Sequence, residues 1–520
     1  MYVKLSLSPA ALLLATAATT TLASPFIVDQ QQQQKPLDAA SHHRHANKPP
    51  VNPFALAALM NTTNLITRSK DLYAIAKMSI PEHNHPTRVI GSLGHVGTIK
   101  YIQQVLATLD GYYTFGEQIF PAVSGTVYES RLVLGKDVIA AQPMSLTPPT
   151  AHKKAVFAPL VAVDNQGCDT TDYPATVAGA IALIKRGSCS FSTKSENAGI
   201  AGAVAAVVYN NEAGKLSGTL GTPLPHHVAT FGISDKIGKQ LLANLTSGHN
   251  ITGSAYIDAE VKTIHTRNVI AQTVLGDPQH CVMLGGHSDS VEEGPGINDD
   301  GSGSLTLLEL AVQLAKFSVP NCVRFAWWSG EEEGLLGSTW YAEHLTAEEN
   351  MRIRLFMDYD MLASPNFAYQ VYNATDIDNP VGSAALRQLY QDIYKSLGVN
   401  YTFIEFDGRS DYVGFIEAGI PAGGVATGAE GVKTAEEVDM FGGRKGVWYD
   451  PCYHQLCDDL RNVNETAWGV NARLVAASVG TYAQSFAGFP RRQAESEEAR
   501  AQRRESERRR WKYRGRQLVM

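Results

Sequence analysis

The spacing of apolar residues changes twice along the chain. Leu72, Ile75 and Ala76, then Ile99, Ile102, Val105, Leu106 and Leu109, recur every three or four positions, which predicts amphipathic helices from about Leu65. Between Gly125 and Tyr256 the texture becomes β-rich: short apolar runs such as Ala155–Val163 and Ala180–Ile184 are punctuated by Gly, Pro and Asn. Within it, Ser195–Ala206 reads as a small-residue helix feeding the strand Val207-Val208-Tyr209. From Asn268 onward, strand-like runs at Val282–Leu284, Val323–Trp328 and Leu355–Tyr359 alternate with helical stretches such as Leu305–Phe317. That alternation predicts an α/β fold with a mainly parallel central sheet flanked by helices on both faces. Helical patterning precedes the β-rich part and α/β patterning follows it, so the β-rich part reads as an insertion into one larger domain.

The ends of the chain differ from this body. Met1–Ala23 has Lys4, an apolar Ala10–Ala15 and a small-residue Thr21-Leu22-Ala23, the layout of a signal peptide. Gln30–Gln34, His42-His43-Arg44-His45 and Pro49-Pro50 follow, and their polar, Pro-rich surroundings predict a disordered leader or propeptide rather than a metal site. Residues 491–520 hold 11 Lys/Arg against 5 Glu, a net +6, so the remainder carries −13 of the overall −7. The acidic body argues against a nucleic-acid binder, and no later run reaches the roughly 18 apolar residues of a membrane span. The expected division is 1–23 signal peptide, 24–64 leader or propeptide, 65–124 first part of the main domain, 125–262 insert, 263–488 second part and 489–520 basic tail. Six sequons, at Asn61, Asn244, Asn250, Asn373, Asn400 and Asn464, and an even count of six cysteines fit a secreted or vacuolar protein.

Chemistry concentrates after the apolar strands. Val282–Leu284 breaks at Gly285-Gly286 and presents His287 and Asp289, with Asp299-Asp300 ten residues later in a Gly-rich loop before a helix. Val323–Trp328 runs into Glu331-Glu332-Glu333, whose carboxylates repel unless a cation lies near. Asp358-Tyr359-Asp360 ends another apolar strand, and Cys452 and Cys457 bracket His454. Ligands in open α/β sheets gather where these segments lie, at the carboxyl ends of strands. No His-Glu-x-x-His and no Gly-x-Ser-x-Gly occurs, which removes helix-borne zinc proteases and nucleophile-elbow hydrolases. Without a Cys-x-x-Cys pair, a structural zinc site is also excluded. His95, His152 and His265 lack acidic companions and read as surface or satisfied core residues.

Together GGHSDSVEEGPGINDDGSG, FAWWSGEEEGLLGS, DYDMLASPN, FDGRSDYVGF and DPCYHQLCDD resemble the secreted co-catalytic zinc aminopeptidases, of the aminopeptidase Y and fungal leucine aminopeptidase kind. The insert resembles the protease-associated (PA) domain through Gly167-Cys168, Arg186-Gly187-Ser188-Cys189-Ser190-Phe191, Lys194 and Ala198–Ala203. The likeness spans about residues 65–488. It implies a zinc exopeptidase fold and a metallo-aminopeptidase, a secreted hydrolase releasing N-terminal Leu and other apolar residues. It further implies two zinc ions: His287 and Asp360 on one, Glu332 and His454 on the other, Asp299 bridging. Glu331 is then the general base for a water between the ions, Asp289 orients His287, and Tyr453 and Arg409 lie near the substrate. Glu333 departs from the usual apolar residue and is expected to be solvated. The implied partners are peptides with a free N-terminus, with no nucleic acid and no membrane span, and the chain is expected to be monomeric. A zinc carboxypeptidase or dipeptidase on the same scaffold is the alternative, and a non-catalytic receptor-like relative a third reading. An intact ligand set argues against the last. Of 15 possible disulfide pairings, the expected ones are Cys168–Cys189 within the insert, Cys281–Cys322 at the starts of neighbouring strands, and Cys452–Cys457 around His454.

Overall fold

The structure, a computed structural model, describes residues 45, 47–494 and 497–513. The signal-like segment 1–23 lies outside them. Among the described residues, 14 strands join one continuous sheet. Its central portion follows the β–α alternation of the sequence. Strands Asp277–His287, Asn321–Trp328, Ile353–Tyr359 and Ala422–Ala426 run parallel to one another, and helices cover both faces. Side-chain alternation divides the core accordingly. Val282, Leu284, Phe325 and Trp327 face helices Gly301–Leu314 and Glu465–Gln484 through Leu305, Leu308, Val475 and Val479. Met283, Ala326 and Trp328 face the opposite layer, with Tyr341 and Phe415. Strands buried on both faces read as continuous apolar runs, as these do.

Two strands of 22 residues each, Tyr113–Leu134 and Thr252–Thr273, lead into and out of the insert as one antiparallel ribbon. Ser124 pairs with Lys262 across it, and a bulge follows at Val127/Glu129. Beyond the ribbon, Val156–Ala162, Ile181–Lys185, Ala205–Tyr209 and Thr230–Ile233 form a second parallel run with its own core, including Leu183, Val207 and Phe231. The helix expected over Ser195–Ala206 instead spans Phe191–Ile200, because the Ser190 side chain caps it by accepting from the Thr193 N–H. All six cysteines are paired, Cys168–Cys189, Cys281–Cys322 and Cys452–Cys457, with Cα separations of 5.6, 4.6 and 5.3 Å. No described helix is long and apolar enough to cross a membrane.

Residues 24–44 of the expected leader also lie outside the described residues; the part within them differs from expectation. Residues 49–64 are ordered against the body: the Val51 N–H donates to Ser318 O and the Ser318 N–H to Pro49 O, each at 2.8 Å. Helices Pro53–Ala58 and Thr62–Ala76 follow, with Leu56 and Leu65 fully buried in the main core. Asn52 and Asn61 cap these helices by accepting from Ala55 and Thr63 N–H, satisfying backbone donors that a helix start leaves unpaired. Even His45 is buried, its Nε2 3.1 Å from Asp110 O. At the other end Arg492 is tied to Ile353 O at 2.6 Å and Gly419 O at 3.2 Å, ahead of the charged helix Glu497–Tyr513.

Candidate active site

The carboxyl ends of the central strands converge on one cleft. His287 ends its strand, and Glu331-Glu332 and Asp360 follow the next two. Asp299 lies immediately before helix Gly301–Leu314, whose cap is Asp300, accepting from Gly303 N–H at 2.8 Å. That helix start needs glycine: a Cβ on Gly303 would lie 2.0 Å from Tyr359 O. His454 sits in the tight Cys452–Cys457 loop with φ 54°.

Asp299 faces both histidines. One carboxylate oxygen is 3.2 Å from His287 Nε2 and the other 3.3 Å from His454 Nε2. His454 Nε2 is 3.0 Å from Glu332 Oε2, and His287 Nε2 is 3.8 Å from Asp360 Oδ1. Glu331 is half-buried beside them and lines the cleft. Burial disfavours charge on both imidazoles, yet the surrounding carboxylates prevail and raise their pKa well above the ordinary histidine value. Burial likewise opposes ionisation of Asp299, but its two histidine partners hold it below the usual range. Burial pushes Glu331 well above that range, His287 opposing and Glu332 and Asp411 adding to the rise. Too many carboxylates share this volume for two imidazoles to neutralise.

The neighbouring groups hold these in place. Asp289 accepts from Gly330 N–H at 2.9 Å and Glu332 N–H at 3.4 Å, while its oxygen is 3.9 Å from His287 Nδ1, longer than a hydrogen bond. Ser410 Oγ donates to Asp360 Oδ2 at 2.9 Å. Arg409 donates to Glu430 at 2.9 Å and to Tyr453 Oη at 3.3 Å, and the Tyr453 ring stacks on His454 at 3.8 Å. Glu333 corrects its expectation. It is buried, not solvated, because the turn after Gly330 folds it inward beside Asp289, and burial first and Asp289 second push its pKa well up. Among the histidines set aside, His95 is buried between Ser288 and Ser329 hydroxyls at 3.1 Å each, and His152 and His265 are exposed.

Several groups here escaped the sequence reading. Asp300 accepts from His287 N–H at 3.1 Å and Met361 N–H at 3.2 Å, so it joins three loops. Asp458 receives Asn298 N–H at 2.9 Å and Asp299 N–H at 3.1 Å, and Asp450 receives the Asn298 carboxamide at 2.7 Å. Arg88, fully buried, donates to Pro295 O at 2.9 Å, Gly296 O at 2.6 Å and Ser288 O. Arg88→Met should therefore destabilise the fold by about 3 kcal/mol or more, since each orphaned buried carbonyl costs roughly 1–3 kcal/mol. Urea unfolding measures this, and a midpoint shift smaller than that of a surface Arg→Met control would contradict it.

The chain is 47% identical to aminopeptidase Y of Saccharomyces cerevisiae over 467 residues, 87% of this chain and 84% of that one. The pattern of peptidase family M28 matches residues 268–479, which carry His287 through His454, and the PA-domain pattern matches residues 156–241. The chain belongs to family M28. A second relative, the probable leucine aminopeptidase 2 of Aspergillus fumigatus, is 42% identical over 86% of this chain and 88% of its own length. Among solved structures, an aminopeptidase from Aneurinibacillus sp. strain AM-1 superposes with TM-score 0.67 at 28% identity, covering 86% of this chain and 98% of that one. A likeness over 86% of the chain includes much of the insert as well as the site.

Proposed function

We propose that the chain is a secreted zinc aminopeptidase that releases N-terminal residues from peptides. The observation that carries this reading is the bridging geometry of Asp299, one oxygen 3.2 Å from His287 and the other 3.3 Å from His454. Ligand atoms about 2.0–2.1 Å from one tetrahedral zinc lie roughly 3.3 Å apart, so these spacings suit two cations sharing one carboxylate. His287 and Asp360 would hold one zinc, Glu332 and His454 the other. The buried His287 Nε2 and Asp360 Oδ1 make no hydrogen bond among the described residues, and the all-nitrogen-and-oxygen donor set fits zinc. When bound, such a metal pair polarises the scissile carbonyl and makes water acidic enough to attack it.

The protein's own residues do the rest. Glu331, spared ligand duty, accepts the attacking water's proton and passes it to the leaving amine. Tyr453, held by Arg409, aims its hydroxyl at the oxygen that gains charge. Asp289 anchors the turn that presents Glu331 and Glu332. The cleft wall includes Met361, Phe403, Ile404 and Val432, with Phe403 45% and Val432 52% exposed, an apolar surface for a leucine-like side chain. Relatives 42–47% identical carry aminopeptidase names, which supports the same direction of attack. Export is supported by the signal-like start, three disulfides, and sequons that are exposed at Asn61, Asn244, Asn250, Asn373 and Asn400. The residue ranges 65–124 and 263–488, with residues 49–64 packed on the same core, form the catalytic domain, and 125–262 the PA insert.

Direction of attack is testable directly. An aminopeptidase must recognise a free α-ammonium, which the carboxylate-rich site favours. Leucine p-nitroanilide should be hydrolysed, and acetylating its amine should lower kcat/KM by at least about 100-fold. Equal rates on both compounds would refute the proposal.

A further inference from the structure

Tyr453 and the loop that follows strand Ala422–Ala426 are bonded into one unit. The Tyr449 N–H donates to Gly431 O and the Asp450 N–H to Ala429 O, each at 2.9 Å. Both neighbours of Glu430 are thereby tied to the segment that runs into Tyr453 and His454. Their close approach needs glycine: a Cβ on Gly428, whose φ is +94°, would lie 2.5 Å from the Tyr449 ring. Arg409 reaches this unit from the loop before helix Tyr412–Glu417. Its Nη2 donates to Glu430 Oε2 at 2.9 Å and to Tyr453 Oη at 3.3 Å, one hydrogen for each. Because Tyr453 Oη accepts that bond, its own hydrogen stays available for another acceptor.

We infer that Glu430 is a positioning residue: it holds the Arg409 guanidinium against Tyr453, so that the tyrosine hydroxyl turns its hydrogen to the substrate oxygen. This rests on the aminopeptidase reading above. Arg409 has a choice of anions, because Asp407 lines the same cleft and also attracts its charge. A guanidinium swung to Asp407 would leave Tyr453 Oη without its donor. Glu430 exerts the larger pull on Arg409, and it remains ionised. Burial opposes that charge, but Arg409, and after it Arg186 of the insert, hold the Glu430 pKa below the ordinary carboxylate value. A carboxylate that instead bound the substrate's ammonium would act on KM, and it would do so whether or not Tyr453 carried a hydroxyl. The two roles therefore separate by experiment.

The test is a double-mutant cycle on the full-length, zinc-loaded enzyme with leucine p-nitroanilide, following kcat and KM separately. Glu430→Ala should lower kcat by about 10- to 100-fold, the scale of a misplaced transition-state donor, with KM within about threefold of wild type. Glu430→Gln, which keeps an acceptor oxygen for Arg409, should recover part of the loss. Tyr453→Phe should lower kcat by about 100-fold or more. Adding Glu430→Ala to Tyr453→Phe should then cost less than about twofold, because the hydroxyl that Glu430 positions is already gone. Full additivity of the two losses would overturn the inference, since Glu430 would then act elsewhere or through folding. A loss carried by KM would also overturn it and mark Glu430 as a contact for the substrate's ammonium. If wild type left the p-nitroanilide intact, the aminopeptidase reading itself would fall, and this one with it.

Discussion

Glu331→Ala should retain both metals yet lose kcat by on the order of 10²–10⁴, the usual worth of a positioned general acid–base. The adjacent Glu332→Ala should instead lose metal. The contrast follows from where the two carboxylates point. Glu332 Oε2 is 3.0 Å from His454 Nε2, within the cluster that shares Asp299, whereas Glu331 faces the open cleft. On the proposed reading, neighbours in sequence thus separate into a side chain for the cation site and one for the substrate, because the turn after Trp328 is pinned by Asp289 at Gly330 and Glu332. Burial and its charged neighbours raise Glu331 when no cation is near, so its ability to take a proton near neutral pH depends on an intact metal site. Elemental analysis beside steady-state kinetics separates the variants. A Glu331→Ala enzyme short of metal but with normal turnover per remaining site would reverse the two roles.

Much of this arrangement is written in local sequence. Apolar runs that stop at Gly285, Ser329 and Asp360 mark strand ends, and the acidic or histidine residues just beyond them fall on one edge of the sheet because the strands are parallel. The supporting groups have no such signature. Arg88 acts on three backbone carbonyls some 200 residues away, and carbonyls are the same in every sequence. Asp450 and Asp458 were visible only as acidic neighbours of His454, yet they fix the backbone carrying Asp299. Glu333 failed for the opposite reason. A third glutamate looks like a solvent residue until the turn that buries it is known. The six-residue helix Pro53–Ala58 is too short to show a period, and the start of Thr62–Ala76, whose Leu72, Ile75 and Ala76 do show one, lies where the polar composition predicted a leader.

Stripping the metals should abolish activity, and it should also make the protein's stability fall as pH rises. The second effect comes from the carboxylates around the site. Burial lifts Asp411 to about 7, Glu293 to about 7 and Asp450 to about 6, with neighbouring charges and hydrogen bonds modifying each rise. In the unfolded chain such groups titrate near 4. Between about pH 4 and 7 the metal-free folded state therefore holds more protons than the unfolded state, and its stability declines through that window. His287 and His454, raised above the ordinary histidine value, act in the same direction: their protonated form favours folding and is lost at higher pH. Asp299 is held below its usual range and acts oppositely, but only below about pH 4. Zinc supplies the positive charge that this cluster lacks, so metal addition should flatten the decline as well as restore turnover. Thermal melts of chelator-treated and zinc-reconstituted protein at pH 5 and pH 8 measure both. The stripped protein should melt higher at pH 5 than at pH 8, and the reconstituted protein should show a smaller difference. Full turnover in protein with less than about a tenth of an equivalent of metal per site would refute metal dependence, because the proposed mechanism takes the charge that activates water from the metal.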